Sequence, residues 1–155
     1  MKKLVMLLVI FPVVAIAALL ILDRVGEPGR TANLPRIVYT DIFDQEEDIY
    51  FVYFWRNDCP RCAEFEPSVV AAFNEGVPVY VVDMNNRTNS PVFYREGALR
   101  DDELPNQEMH GLSITDYSEI DVVGTPTVVR VENGVITDRV SGVPLAVALL
   151  DAFER

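Results

Sequence analysis

The sequence predicts an α/β domain, a central mixed β-sheet flanked by helices, preceded by one N-terminal transmembrane helix. Three observations predict it. Residues 4–22 form an unbroken apolar run. Two continuous β-rich apolar segments, 49–55 and 77–84, bracket a stretch of helical period. Two further β-rich segments meet at Asn133-Gly134 and lead into a closing amphipathic stretch. With 155 residues, half of them hydrophobic, the chain accommodates one compact domain.

The apolar run "LVMLLVIFPVVAIAALLIL" follows Lys2 and Lys3 and stops at Asp23 and Arg24. Its 19 residues, at about 1.5 Å each, cross a hydrocarbon core of roughly 30 Å. Ala15-Ile16-Ala17 resembles a signal-peptidase site. Cleavage there would leave an apolar stub, the run exceeds a signal peptide's core, and no cysteine lies nearby for lipid attachment. Residues 1–22 therefore read as an uncleaved signal-anchor in preference to a cleaved leader. Pro12 is compatible with a membrane helix. Adjacent lysines on a short tail stay inside, while Asp23 and Glu27 dilute Arg24, Arg30 and Arg36 on the far flank. The body is expected outside the cytoplasm, anchored to the cell membrane by a single pass, where a disulfide is chemically permitted. Beyond Lys2 and Lys3 the chain sets 11 arginines against 24 acids, a formal charge of -13. Such a surface repels nucleic acid and anionic headgroups and suits solubility outside the cell.

Residues 23–36, "DRVGEPGRTANLPR", read as a linker, with the domain spanning 37–155. A short strand is expected at 37–40. "IYFVYFW" (49–55) fits a strand buried on both faces. In 59–73 apolar residues at 62, 65, 69, 72 and 73 recur at helical spacing, Pro60 suits the first turn, and Pro67 should kink the helix. Residues 77–84 form the second buried strand. The insertion at about 85–112 is long for a bare loop and is read with a short helix or lid at 92–99; its lone histidine, His110, is assigned a surface or partly buried structural role. A short helix is expected at 113–120. "PTVVRVE" and "VITDRVS" form a hairpin across Asn133-Gly134. The last segment puts Leu145, Ala148, Leu149 and Phe153 on one helical face.

Both cysteines of the chain, Cys59 and Cys62, stand at the start of the first helix in "FWRNDCPRCAEFEP". A thiol there lies among unpaired backbone N–H groups at the positive end of the helix dipole, which favours thiolate. Cys59 is the expected nucleophile. Cys62, one turn on, is placed to attack a mixed disulfide and release the client. Pro60 stiffens the turn, Arg61 adds a favourable charge, and Asp58 opposes it. Glu64 and Glu66 read as a solvated helix face. A purely structural disulfide closing so short a loop would stabilise little. Two cysteines and one histidine fall short of the roughly four ligands of a zinc site, so no metal is expected.

From residue 37 to the C-terminus the sequence resembles the thioredoxin superfamily. "FWRNDCPRC" follows a buried strand, and "VVGTPTVVRVENGVI" looks like that family's cis-proline segment and strand hairpin. The resemblance implies a cis Thr125-Pro126 bond beside the cysteines, with the Thr125 backbone free to pair with a client strand and Gly124 permitting close approach. Two positions depart from the family pattern: Tyr53 stands where thioredoxins usually carry a buried acid, and Asp58 where they usually carry tryptophan. Threonine before the proline and a dipeptide other than Gly-Pro are similar to extracytoplasmic thiol–disulfide exchange members. The expected activity is thiol–disulfide exchange on extracytoplasmic protein thiols and disulfides, with Thr125 and Pro126 binding substrate. It needs no bound cofactor, because the disulfide carries the two electrons, and it needs a redox-recycling partner. The alternative is a non-catalytic binding module for an exported peptide or membrane partner.

Overall fold

The computed structural model of the chain describes residues 31–92, 106–122 and 124–153. The anchor expected at 1–22, most of the 92–99 lid and the first part of the linker lie outside the described residues. Among the described residues no helix is long and apolar enough to cross a membrane.

Among the described residues six strands form one mixed sheet: β1 (Arg36–Ile37), β2 (Ile49–Trp55), β3 (Val79–Asp83), β4 (Gln107–Ile114), β5 (Thr127–Glu132) and β6 (Val135–Ser141). Their order is β1-β3-β2-β5-β6-β4. β2 lies parallel to β3 and antiparallel to β5, so it sits at the centre. β1 runs parallel to β3, and β6 is antiparallel to both β5 and β4. Two α-helices are described, α1 (Pro60–Asn74) and α2 (Val143–Asp151).

The side-chain period of two along β2 divides the core. Phe51 and Tyr53 join Val79, Val81 and Val128 on one face, where α1 contributes Cys62, Phe65 and Val69 and α2 contributes Ala146, Leu149 and Leu150. Tyr50, Val52 and Phe54 face the other way with Val82, Val129 and Val131. Among the described residues no α-helical side chain joins that second cluster; Ile42, Ile120 and Val122 from turns and irregular segments close it. The mixed sheet with flanking helices is as expected, and among the described residues both α-helices pack on the same face. Continuous burial of β2 from Tyr50 to Phe54 matches its neighbours on both edges.

Asn133 (φ 51°) and Gly134 (φ 75°) both take the left-handed region, as a two-residue hairpin turn requires. α1 starts at Pro60 and runs through Pro67. In α2 the buried positions are 146, 149 and 150, while Ala148 is exposed, so the face is rotated from the one expected at 145, 148, 149 and 153. Nearly every residue there is apolar, and periodicity alone could not choose between adjacent faces.

Two further expectations are corrected. The helix expected at 113–120 is instead the end of β4 followed by a single 3-10 turn at Tyr117–Glu119. Asp116 caps that turn by accepting from the Ser118 N–H at 2.8 Å. β4 is an edge strand with most of its residues exposed, which leaves no apolar alternation to read. Second, residues 31–36 pack on the domain before the boundary expected at 37. Thr31 and Leu34 are buried, and the backbone N–H and the hydroxyl of Thr31 both donate to Glu66 Oε1. Glu66 is therefore a tie between α1 and the start of the domain, while Glu64 is exposed as expected.

Candidate functional site

β2 delivers the chain to the start of α1, and Cys59 is the N-cap residue of that helix, with extended backbone (φ -102°, ψ 111°). Its sulfur takes the role usually given to a serine or aspartate oxygen: Cys59 Sγ accepts the Cys62 backbone N–H at 3.1 Å. One of the helix's unpaired donors is thereby aimed at the sulfur, where it stabilises negative charge. Pro60 occupies the first helical turn, where its missing N–H costs nothing.

The Thr125-Pro126 bond is cis. Thr125 is buried, and its carbonyl oxygen accepts from Cys59 Sγ at 3.3 Å. Neighbouring groups tie this loop to the sheet and to α2. Thr127 Oγ1 donates to the Gly124 carbonyl at 2.6 Å and bonds to Ser141 Oγ at 2.7 Å. The Gly142 N–H donates to the Pro126 carbonyl at 3.0 Å. Cys59, Cys62, Thr125 and Pro126 are thus assembled from two segments, with Cys59 and Thr125 separated by 66 positions along the chain. Both cysteines are buried.

Asp58 is exposed, but it does not act alone. Arg56 grips it with two nearly parallel bonds, Nε to Oδ1 at 2.9 Å and a terminal nitrogen to Oδ2 at 2.7 Å. That guanidinium holds the Asp58 carboxyl below the usual carboxylate range. The charge expected to oppose the Cys59 thiolate is therefore largely balanced by Arg56. Arg61 is half-buried and reaches Asn106 Oδ1 at 3.5 Å, a long contact between α1 and the residue just before β4.

Cys62 is fully buried. Its thiol pKa is pushed up by its hydrogen bond with Cys59 and by burial, and is pulled down in part by the Arg56 backbone N–H and the Thr125 hydroxyl. Tyr53, on β2, packs edge-on against Phe65 of α1 with ring centroids 5.1 Å apart. Burial first, and then the neighbouring Cys62, push its phenol pKa up. Arg56 and Asn106 were not picked out from sequence. Arg-x-Asp just before the first cysteine could have flagged the first; only the pairing of β4 with β6 brings the second near α1. His110 is exposed on β4 and bonds Asp138 of β6 through Nδ1 at 2.6 Å. Among the described residues no three His, Cys, Asp or Glu side chains are grouped to hold a metal ion.

No family model matches the sequence, and no curated protein matches it. Among solved structures the chain is similar to thioredoxin f2 of Chlamydomonas reinhardtii, with 16% identity, a TM-score of 0.49, and coverage of 77% of this chain and 94% of that one. It is similar to a mutant thioredoxin from Halobacterium salinarum NRC-1, at 15% identity and TM-score 0.49, covering 84% of this chain and 96% of that one. A third is the Malassezia sympodialis thioredoxin Mala s 13, at 19% identity and TM-score 0.44, covering 77% of this chain and 92% of that one.

Proposed function

We propose that this chain is a thioredoxin-like thiol–disulfide oxidoreductase acting on protein thiols and disulfides outside the cytoplasm, tethered by residues 1–22. One observation carries the chemistry: the Cys59 sulfur caps α1, takes an N–H from Cys62 and faces the Thr125 carbonyl beside a cis-proline. In the oxidising direction the Cys59–Cys62 disulfide is attacked by a client thiolate. In the reducing direction the Cys59 thiolate attacks a client disulfide, forming one S–S bond and expelling one client thiolate. Cys62 then attacks Cys59 Sγ, closing the intramolecular disulfide and releasing the second client thiolate. The exchange moves two electrons, so the pair must be reset by a partner of the opposite redox poise.

Once Cys59 has lost its proton or joined a client, the Thr125 carbonyl loses its thiol donor. It is then free to accept an N–H from the client backbone, which gives a neutral, sequence-tolerant grip on an extended segment. Arg61 and the Arg56–Asp58 pair border the entrance and modulate the charge that a client meets.

The test is the equilibrium reduction potential of the full-length protein in detergent, titrated in thiol buffers and followed by Trp55 fluorescence and an alkylation gel shift. One reversible transition, absent from Cys59→Ser and Cys62→Ser variants, is expected. A value near about -270 mV assigns a reductant, and one near about -120 mV a disulfide donor. Absence of any reversible transition in the unmodified protein would overturn this function in favour of a binding module.

A further inference from the structure

Cys62 is fully buried, and to attack a mixed disulfide it must become a thiolate. Around it lie two hydroxyls that the fold has not otherwise used. Tyr53 is completely buried and Thr125 nearly so, and neither Tyr53 Oη nor Thr125 Oγ1 makes a well-aligned hydrogen bond among the described residues, although both bear on the Cys62 thiol. Leaving a buried hydroxyl unpaired is destabilising, and phenylalanine and valine would fill the same volumes. Tyr53 of β2 shares the buried cluster of Cys59 and Cys62, the Thr125 carbonyl meets Cys59 Sγ, and both side chains bear on the titration at Cys62. The Arg56 backbone N–H reaches the Cys62 sulfur as a third donor.

We propose that Tyr53 and Thr125 are positioning residues whose hydroxyls turn onto the Cys62 sulfur as it ionises, forming a neutral donor cradle that speeds the resolving step. A protonated thiol needs at most one of these donors, whereas a thiolate accepts several. The hydroxyls are thus poorly satisfied in the dithiol form and satisfied only when Cys62 is charged, which is when it reacts. The cradle donates and takes no proton: both hydroxyls stay neutral, and the phenol's pKa lies above its ordinary value. The titratable groups around it are Cys59 and Glu66 of α1, and Glu66 is tied to Thr31. In the step itself the Cys62–Cys59 S–S bond forms as the Cys59–client S–S bond breaks. The pair is oxidised, the client sulfur is reduced, and the proton shed by Cys62 ends on the departing client thiolate by way of solvent. The inference rests on the exchange function proposed above.

The experiment mixes reduced full-length protein in detergent with dithiobis(nitrobenzoate) and follows release of its coloured thiolate across pH. Cys59 produces the first release by forming a mixed disulfide, and Cys62 produces the second by resolving it. In Tyr53→Phe the first release is expected unchanged, while the second is slowed about tenfold at neutral pH and its pH midpoint rises by about one unit. Thr125→Val shifts the second release the same way, with its backbone acceptor retained. The melting temperature of reduced Tyr53→Phe should equal or exceed that of the parent, since an unpaired buried hydroxyl has been removed. A merely structural hydroxyl would lower the melting temperature and leave the midpoint in place. Second releases of parental rate and midpoint in both variants would overturn the cradle. A parent protein that gives no second release would overturn the exchange function, and the cradle with it.

Discussion

At the scale of single residues the site is built from sulfur acting as a helix cap. Cys59 replaces the oxygen usually found at an N-cap, so the interaction that organises the first turn also stabilises its thiolate. Charge next to it is set by a pair: Arg56 neutralises Asp58 through two bonds. Removing one member should therefore act in opposite directions on Cys59. Asp58→Asn removes the carboxylate beside Arg56 and is expected to raise the alkylation rate of Cys59 at neutral pH about two- to threefold, whereas Arg56→Gln lowers it by a similar factor. Both effects should shrink as salt is added, because the pair lies at the surface. Rates of iodoacetamide labelling in low and high salt check this. Equal rates in all three proteins would remove the pair from any account of the nucleophile.

At the scale of elements, the site depends on how α2 and β4 abut the cis-proline loop. Gly142 caps α2 with φ 97°, and a β-carbon there would collide with Asn106 Oδ1. Its N–H also holds the Pro126 carbonyl. Gly142→Ala is expected to cost about 1–3 kcal/mol from the left-handed backbone alone, read as a lower urea midpoint at unchanged slope. Adding Asn106→Gly should recover the part that comes from side-chain overlap and leave the backbone part. A double mutant no more stable than Gly142→Ala alone would mean that Asn106 swings clear and contributes nothing. The same junction shows where sequence reading fails by element. β2, β3, the hairpin and α1 were legible because their burial imposes a period or a continuous apolar run. β4 was not, because an exposed edge strand is free to carry Glu108, His110 and Ser113.

At the scale of the whole molecule, buried Tyr50 and Tyr53 and half-buried Tyr80 couple stability to alkaline pH. Tyr50 gives its hydroxyl to the Ile42 carbonyl at 2.5 Å, and burial, then Asp44 and Glu47, push its pKa up to about 12. Tyr80 is likewise pushed up to about 12, by burial and by its bond to Glu47. Tyr53 rises in the same direction. A folded pKa above the unfolded value of about 10 means that the native state holds the proton more tightly. Its stabilising contribution is complete below about pH 10 and is lost as pH rises through about 12. Unfolding free energy should fall across that window, and phenolate absorbance of these tyrosines should appear together with loss of circular dichroism. Phenolate absorbance that precedes unfolding would show that the tyrosines titrate in the folded protein.

What the sequence determined by itself was the local frame of the candidate site: two thiols at a helix start after a buried strand, a Thr-Pro before a β-hairpin, and an Asn-Gly turn between the hairpin strands. Each follows from short-range rules of capping, periodicity and turn geometry, which act over a few residues. Tertiary structure alone decided what those residues meet. It set the Thr125 carbonyl against Cys59, Glu66 on Thr31 and Asn106 next to Gly142. It also assigned both described helices to one face of the sheet. These contacts join positions far apart along the chain, and strand register and helix docking set them; no local pattern encodes either, because one register is chosen over another by the packing of the whole core.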